Sequence, residues 1–302
     1  MLDISIIIPF YKGNNYLKQI EDNLKQFIFN SKIQNKFQFE VIIVNDSPNV
    51  EMKINEWMRQ NVQIINNEIN SGIHFSRVHG LKYAKGKFIQ FMDQDDSIDF
   101  EKLELSLASV IDSNVDVIVN NGKLEFFDGT STEIYSNLNY KKSVLKESSY
   151  LNIRDLIVSP GQCLINKSSI PMAWKKNIMQ VSGTDDYLLW LLMFNEGNRF
   201  VFCDNLVYFH SNSGENLSLD ISNWKESLAD LERILAMTPG YPQNKLRKLH
   251  RLNLYKLAFA EHNSKKKLTM SVKNFDLFII NVVFRISNGS SPFKIKGGEY
   301  TK

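Results

Sequence analysis

Two nearly uninterrupted β-branched runs, Ile4-Ser5-Ile6-Ile7-Ile8 and Glu40-Val41-Ile42-Ile43-Val44, constrain this chain more than any other feature. Strands with one wet face alternate apolar and polar residues, whereas a continuous β-branched run suits a strand covered on both faces, as in a parallel sheet. The first run is closed by Pro9 and the second by Asn45-Asp46-Ser47-Pro48. Between them Tyr16, Ile20, Leu24 and Phe27 recur at helical spacing, with Asn14 or Asn15 placed to cap the helix. This is one strand-helix-strand unit.

The pattern repeats. Ile54, Trp57 and Met58 predict a second helix, Val62 to Ile65 a third strand, Phe75 to Ala84 a third helix and Phe88 to Met92 a fourth strand. Such alternation predicts an α/β fold, a doubly wound, mostly parallel sheet with helices on both faces. Ligands of such sheets bind beyond the carboxyl ends of the strands. Each of those ends carries polar residues: Pro9-Phe10-Tyr11, Asn45-Asp46, Asn66 to Gly72 and Asp93-Gln94-Asp95-Asp96. The last cluster admits two readings. Its carboxylates can hold a hard divalent cation against substrate phosphates, or they form a solvated turn in which Asp96 or Asp99 caps a helix from Phe100 to Asp112. No Gly-x-Gly-x-x-Gly follows the first strand and no Gly-Lys-Ser/Thr loop occurs, which argues against dinucleotide oxidoreductases and P-loop nucleotide hydrolases.

The 302 residues, 43% hydrophobic and 23% charged, suffice for one large domain with an appendage. Met1-Leu2-Asp3 runs straight into the first strand without a basic segment, so no signal peptide is expected. Cys163 and Cys203 match neither a disulfide framework nor a zinc site and are expected as reduced core thiols of a cytoplasmic protein. Charge is unevenly spread. From Tyr241 to Lys302 there are 13 Lys and Arg against three acidic residues, a net of +10, so the first 240 residues carry −7 within the chain's +3. A basic tail can be a solvated helical face, a nucleic-acid patch or a contact with anionic lipid. The stretch Phe275 to Phe284, interrupted by Asp276 and Asn281, is too short to span a bilayer. It either lies in a membrane interface beside Lys265-Lys266-Lys267 and Arg285 or packs as a helix on the main domain.

Taken in order, Ile6-Ile7-Ile8-Pro9-Phe10-Tyr11-Lys12, Val44-Asn45-Asp46-Ser47, Asn70-Ser71-Gly72, Arg77, Ala84-Lys85-Gly86-Lys87-Phe88-Ile89 and Met92-Asp93-Gln94-Asp95-Asp96 resemble glycosyltransferase family 2. These are inverting, metal-dependent nucleotide-sugar transferases of the A-type fold, and the likeness covers roughly residues 3 to 218. The resemblance implies a transferase domain at 1–220, with a nucleotide-binding half at 1–100 and an acceptor and catalytic half at 101–220, followed by a basic helical extension at 221–302. By the same resemblance Asp46 would accept from N3 of a uracil, with Pro9 and Tyr11 walling the base and ribose. Asp95 would face the ribose or share the metal, Asp96 with Asp93 would ligate Mn²⁺ or Mg²⁺ against the diphosphate, and Arg77 would pair with phosphate or a carboxylate.

Gly183-Thr184-Asp185-Asp186-Tyr187-Leu188-Leu189-Trp190 resembles the family's acidic catalytic motif. It implies Asp186 as the base, with Asp185 in place of the usual Glu; a shift of one position exchanges their roles. Tyr208-Phe209-His210-Ser211-Asn212 and Asn216-Leu217-Ser218 resemble a segment whose His contacts metal or diphosphate, making His210 a further metal ligand. Tyr208 stands where the family often has Arg. Ser159 to Asn166 resembles a strand beneath the acceptor cleft, and Trp174 is either a sugar-stacking ring or core.

The implied activity is inverting transfer of a sugar from a UDP-sugar to a hydroxyl of a glycan or lipid-linked glycan, as in bacterial surface polysaccharide assembly. The implied partners are that donor and acceptor and, through 241–302, an anionic membrane surface at the inner face of the cytoplasmic membrane; nucleic acid is not among them. The rivals are a non-catalytic nucleotide-sugar-binding scaffold and a nucleotidyltransferase. The latter would show a glycine-rich basic loop after the first strand, which Pro9-Phe10-Tyr11-Lys12-Gly13-Asn14 is not.

Overall fold

The computed structural model describes residues 2–29, 37–110, 113–126, 128–211, 220–261 and 264–288. The alternation read from the sequence is present as β1 (Ile4–Phe10), α1 (Leu17–Phe29), β2 (Phe39–Asn45), α2 (Glu56–Asn61), β3 (Gln63–Asn66), α3 (Gly72–Tyr83) and β4 (Phe88–Phe91). Every residue of β1 is buried, and β2 is buried from Val41 onward, as two-sided cover requires. These four strands lie in the order β3-β2-β1-β4, all parallel.

Two local expectations change. Asn14 does not cap α1; its side chain accepts from the Lys53 N–H at 3.0 Å and donates to the Glu51 carbonyl at 2.9 Å, pinning the segment ahead of α2. The helix expected from Phe75 begins at Gly72, because the Asp46 carboxylate accepts the N–H groups of Ser71 and Gly72 and satisfies its first turn from outside.

The later strands are β5 (Ser97–Ile98), β6 (Val117–Glu125), β7 (Ser131–Glu133), β8 (Cys163–Asn166) and β9 (Phe200–Ser211). They extend the sheet to β3-β2-β1-β4-β8-β6-β9-β5, with β7 on the end of β6. The all-parallel pattern stops at β4. β8 is antiparallel to both β4 and β6, β9 is parallel to β6, and β5 is antiparallel to β9, so the second half of the sheet is mixed. Antiparallel neighbours need no helical crossover, which is why the βαβ rhythm fades from the sequence there.

The remaining helices are α4 (Phe100–Ala108), α5 (Leu138–Ser143), α6 (Glu147–Asn152), α7 (Met172–Lys176), α8 (Asp185–Asn195), α9 (Ile221–Met237), α10 (Gln243–Ala260), α11 (Ser264–Lys273) and α12 (Phe275–Ser287). Asp99, not Asp96, caps α4, accepting from the Lys102 N–H at 3.0 Å. The helix ends at Ala108, short of Asp112.

Two compact units result. One comprises 1–134, 157–178 and 197–213 and holds the sheet; the other comprises 135–156, 179–196 and 214–302 and is helical. The expected boundary at 220, and the halves at 1–100 and 101–220, do not follow this division. The reason is α8, whose residues Tyr187 to Met193 are all buried and which therefore needs neighbours around its whole circumference. Tyr187 donates its hydroxyl to the Tyr150 carbonyl of α6, and the Thr184 hydroxyl reaches the Ser227 carbonyl of α9 at 3.0 Å. Lys245 of α10 pairs with Glu147 of α6 at 2.7 Å. Early helices thus belong with the C-terminal ones.

Cys163 is buried, Cys203 half-buried, and both are free thiols. Trp174 is core, completely buried with its ring 4.5 Å from His74 and 6.0 Å from Phe91, and stacks on no sugar. Among the described residues no helix is long and apolar enough to cross a membrane. Asn212, Asn216-Leu217-Ser218 and the side chains of Phe27, Lys265 and Lys266 lie outside the described residues.

β9 is fitted to its neighbours through two glycines. A Cβ at Gly122 would lie 2.3 Å from the Tyr208 carbonyl oxygen, and one at Gly161 would lie 2.2 Å from Tyr208 Cε2. Both positions let Tyr208 pass where any side chain would collide. Gly161→Ala is therefore expected to cost about 1–3 kcal/mol through overpacking, measured by urea denaturation. Unchanged stability would mean the ring has room that the packing denies.

Candidate active site

The parallel register brings the strand ends level. Phe10 lies beside Asn45, Asn45 beside Asn66, and Ile7 beside Phe91, so the following loops leave the sheet at one edge. After β1 the chain turns sharply, with Lys12 in the left-handed region at φ 48° and its ammonium 5.0 Å from the Tyr11 ring centre. Two contacts hold that turn. Lys12 N–H donates to Ser47 Oγ at 2.8 Å, and Tyr11 is clamped by Gln94, whose Oε1 accepts the Tyr11 N–H at 2.9 Å while its Nε2 donates to the Tyr11 carbonyl at 3.2 Å. Tyr11 itself is 43% exposed, whereas Pro9 is buried within β1.

Asp46, buried after β2, gathers three donors. Oδ1 accepts from the Ser71 N–H and Asn67 Nδ2, both at 2.8 Å, and Oδ2 accepts from the Gly72 N–H at 2.8 Å. Those backbone donors open α3, whose dipole favours a carboxylate there. An ionised carboxylate has about four acceptor positions, so among the described residues one remains.

The acidic tetrad divides its labour. Asp93 accepts from Arg77 at 2.7 Å and from Ser159 Oγ at 3.0 Å. Arg77 is thus no surface cation; it is buried in α3, with its guanidinium 5.9 Å from the Phe91 ring centre. Asp96 is completely buried and takes the Tyr208 hydroxyl, the Ser211 N–H at 2.8 Å and His210 Nδ1 at 3.1 Å. The Tyr208 hydroxyl, which bonds Asp96, also lies 2.8 Å from Ser159 Oγ, which bonds Asp93, so the two carboxylates are held by neighbouring hydroxyls. Asp95 is half-buried, and burial together with the negative charges of Asp96 and Asp93 pushes its carboxyl up to about 7. Burial disfavours a charge on His210, but Asp96, Asp93 and Asp95 outweigh it and raise the imidazole to about 9.

Expected as four metal ligands, Asp93, Asp95, Asp96 and His210 do not form a closed cage. Among the described residues no three His, Cys, Asp or Glu side chains are arranged to hold a metal ion by themselves. Asp93 and Asp96 take the protein donors just named, and His210 Nδ1 pairs with Asp96. At Asp95, burial and the charges of Asp96 and Asp93 outweigh a backbone hydrogen bond and the pull of His210. A hard cation held by one or two carboxylates, with phosphates and water completing its shell, fits this donor set.

In the helical unit, Asp185 and Asp186 open α8 behind Thr184 and Gly183, the latter at φ 131°. They are not equivalent. Asp185 is buried, while Asp186 is half-buried with Oδ1 accepting the Tyr187 N–H at 2.7 Å. A base that must meet a substrate hydroxyl needs the accessible position.

Sequence reasoning missed Gln94, Ser159 and Asn67, and Tyr208 was noted only as a substitute. Ser159 carried a readable signal. Ser159-Pro160-Gly161-Gln162 is a capping box on a 3-10 turn, and β8 begins only at Cys163. Gln94 and Asn67 act through backbone and side-chain partners on other loops, which no local pattern reveals.

The model of glycosyl transferase family 2 matches residues 5–171, more than half of the chain. The chain is 28% identical over 205 residues to UDP-Glc:alpha-D-GlcNAc-diphosphoundecaprenol beta-1,3-glucosyltransferase WfgD of Escherichia coli, a match covering 65% of this chain and 71% of that protein. It is 25% identical over 228 residues to poly(ribitol-phosphate) beta-N-acetylglucosaminyltransferase TarS of Staphylococcus aureus, covering 72% of this chain but only 37% of TarS. The crystal structure of S. aureus TarS 1-349 in complex with UDP-GlcNAc superimposes with a TM-score of 0.62 at 20% identity, covering 95% of this chain and 82% of that one. The mannosyltransferase PcManGT from Pyrobaculum calidifontis, in complex with GDP-Man and Mn²⁺, gives a TM-score of 0.54 at 12% identity, covering 95% and 83%. Strand ends, tetrad and family model coincide on the same residues, and the chain belongs to glycosyl transferase family 2.

Proposed function

We propose that this protein is an inverting, metal-dependent transferase that moves a sugar from a UDP-sugar to a hydroxyl of a glycan or lipid-linked glycan in bacterial surface polysaccharide assembly. It would act at the cytoplasmic face of the membrane. The observation that carries the reading is Asp46, a buried carboxylate with one acceptor position left at the edge it shares with Tyr11 and the tetrad. A uracil offers one N–H between two carbonyls, and an acceptor carboxylate matches that N–H. Tyr11, held by Gln94, supplies a ring for base or ribose. The relatives' names support the donor and acceptor classes: WfgD is named for UDP-Glc and a diphosphoundecaprenol acceptor, and TarS for a poly(ribitol-phosphate) acceptor. Both names specify β products, and UDP-glucose carries its sugar in the α configuration, so a β product from it requires inversion.

In the reaction the acceptor oxygen attacks the anomeric carbon, the bond from that carbon to the phosphate oxygen breaks, and its electron pair leaves with UDP. Asp186 takes the acceptor proton, and Asp185 beside it in the chain is buried. Mn²⁺ or Mg²⁺, held by Asp95 with Asp96, Asp93 and His210 around it, would neutralise charge on the departing diphosphate. Arg77 holds Asp93 in place, and Tyr208, His210 and the Ser211 N–H hold Asp96.

Calorimetric titration with UDP, GDP and CMP, with and without Mn²⁺, tests the reading. Metal-dependent binding selective for UDP is expected; a folded sample that binds none of them would leave the reading without a donor. Asp46→Ala is expected to weaken UDP about 10–100-fold. Gln94→Ala, which unties Tyr11, is expected to weaken it about tenfold. Asp186→Asn is expected to keep UDP affinity and to lower transfer by about 10²–10⁴-fold, measured as radiolabelled sugar incorporated into acceptor. Full transfer by that variant would remove Asp186 from the base role, and binding without turnover in the unaltered protein would favour a scaffold.

A further inference from the structure

We infer that the outer face of α11 and α12 is a docking surface for an anionic lipid bilayer. On α12, Phe275, Ile279, Val283 and Ile286 follow one another at helical spacing, and on α11 Leu268 and Val272 are one turn apart. Each is between 41% and 70% exposed. The inner side of α12 is already occupied. Leu277 and Asn281 are buried, Asn281 Nδ2 donates to the Asn152 carbonyl at 3.1 Å, and Phe284 meets the Tyr140 ring edge-on at 5.4 Å. A surface helix normally turns its apolar stripe inward and its polar face to water. Here both sides are apolar, and an apolar face of this extent marks a contact surface.

Charge identifies the occupant. Between Ser264 and Asn288 there are five basic residues and one acid, Asp276, which is neutralised by Arg251 of α10. Exposed apolar side chains on a helix pair that carries five lysine and arginine residues against one acid suit lipid headgroups, where apolar chains enter the acyl boundary and cations meet phosphates. With 13 residues, α12 is about 20 Å long, shorter than a bilayer's hydrocarbon core, so it lies in the interface plane. The inference rests on the helical unit alone and does not depend on the donor reading.

Co-sedimentation of the full chain with vesicles tests it, comparing phosphatidylcholine alone with vesicles containing phosphatidylglycerol. Binding to the second, reversed by high salt, is expected. The pair Ile279→Glu and Val283→Glu, on exposed positions, and separately Lys273→Glu, are each expected to weaken binding about tenfold; thermal melting checks that they fold. Wild-type protein left in the supernatant, or variants that sediment like wild type, would overturn the inference. A lipid-free dimer in analytical ultracentrifugation that the double variant abolishes would make the face a self-association surface and overturn it likewise. Vesicle binding that emerges only when residues 289–302 are removed would make that segment the occupant.

Discussion

The buried Asp96 carboxylate is the joint on which the sheet unit depends. It follows β4, the last strand of the parallel half, yet its partners Tyr208, His210 and Ser211 all lie on β9, in the mixed half. A carboxylate removed from water is costly unless its oxygens are bonded and its charge is balanced. A phenol, a backbone N–H and a raised imidazole meet that requirement together, and in doing so they fix the spacing between the two halves. Gly122 and Gly161 are part of the same arrangement, since they clear the path by which Tyr208 reaches Asp96.

From this joint the rest of the tetrad follows. Asp93 is tied to the neighbouring hydroxyl of Ser159 and is balanced by buried Arg77, which leaves α3 and β4 in fixed relation. Gln94 points the other way and holds Tyr11. Asp95 is left between two satisfied neighbours and takes the electrostatic cost of both, so its carboxyl rises to about 7.

The helical unit has a different logic. α8 is buried on all sides, and the chain satisfies it by folding the segments around residues 135–156 and 220–260 together. α12 is the reverse, a helix with more apolar surface than its own fold covers. One helix is saturated and the other is not, although both read as apolar in sequence; the difference lies in which neighbours surround them.

The sequence by itself determined the order of strands and helices from β1 to β4. Period and run length distinguish buried strands from amphipathic helices because those patterns are local, and ordered polar residues at each strand end marked the site edge. Asp46, Arg77, the tetrad and His210 were singled out by their resemblance to the family's ordered motifs. Only the tertiary structure decided how these residues are used. That Arg77 is buried against Asp93, that His210 pairs with Asp96, and that Gln94 clamps Tyr11 are contacts between residues 16 to 114 positions apart. The mixed half of the sheet and the interleaved helical unit were also hidden, since antiparallel pairing and helix docking depend on distant partners and leave little periodic trace in the segments that make them.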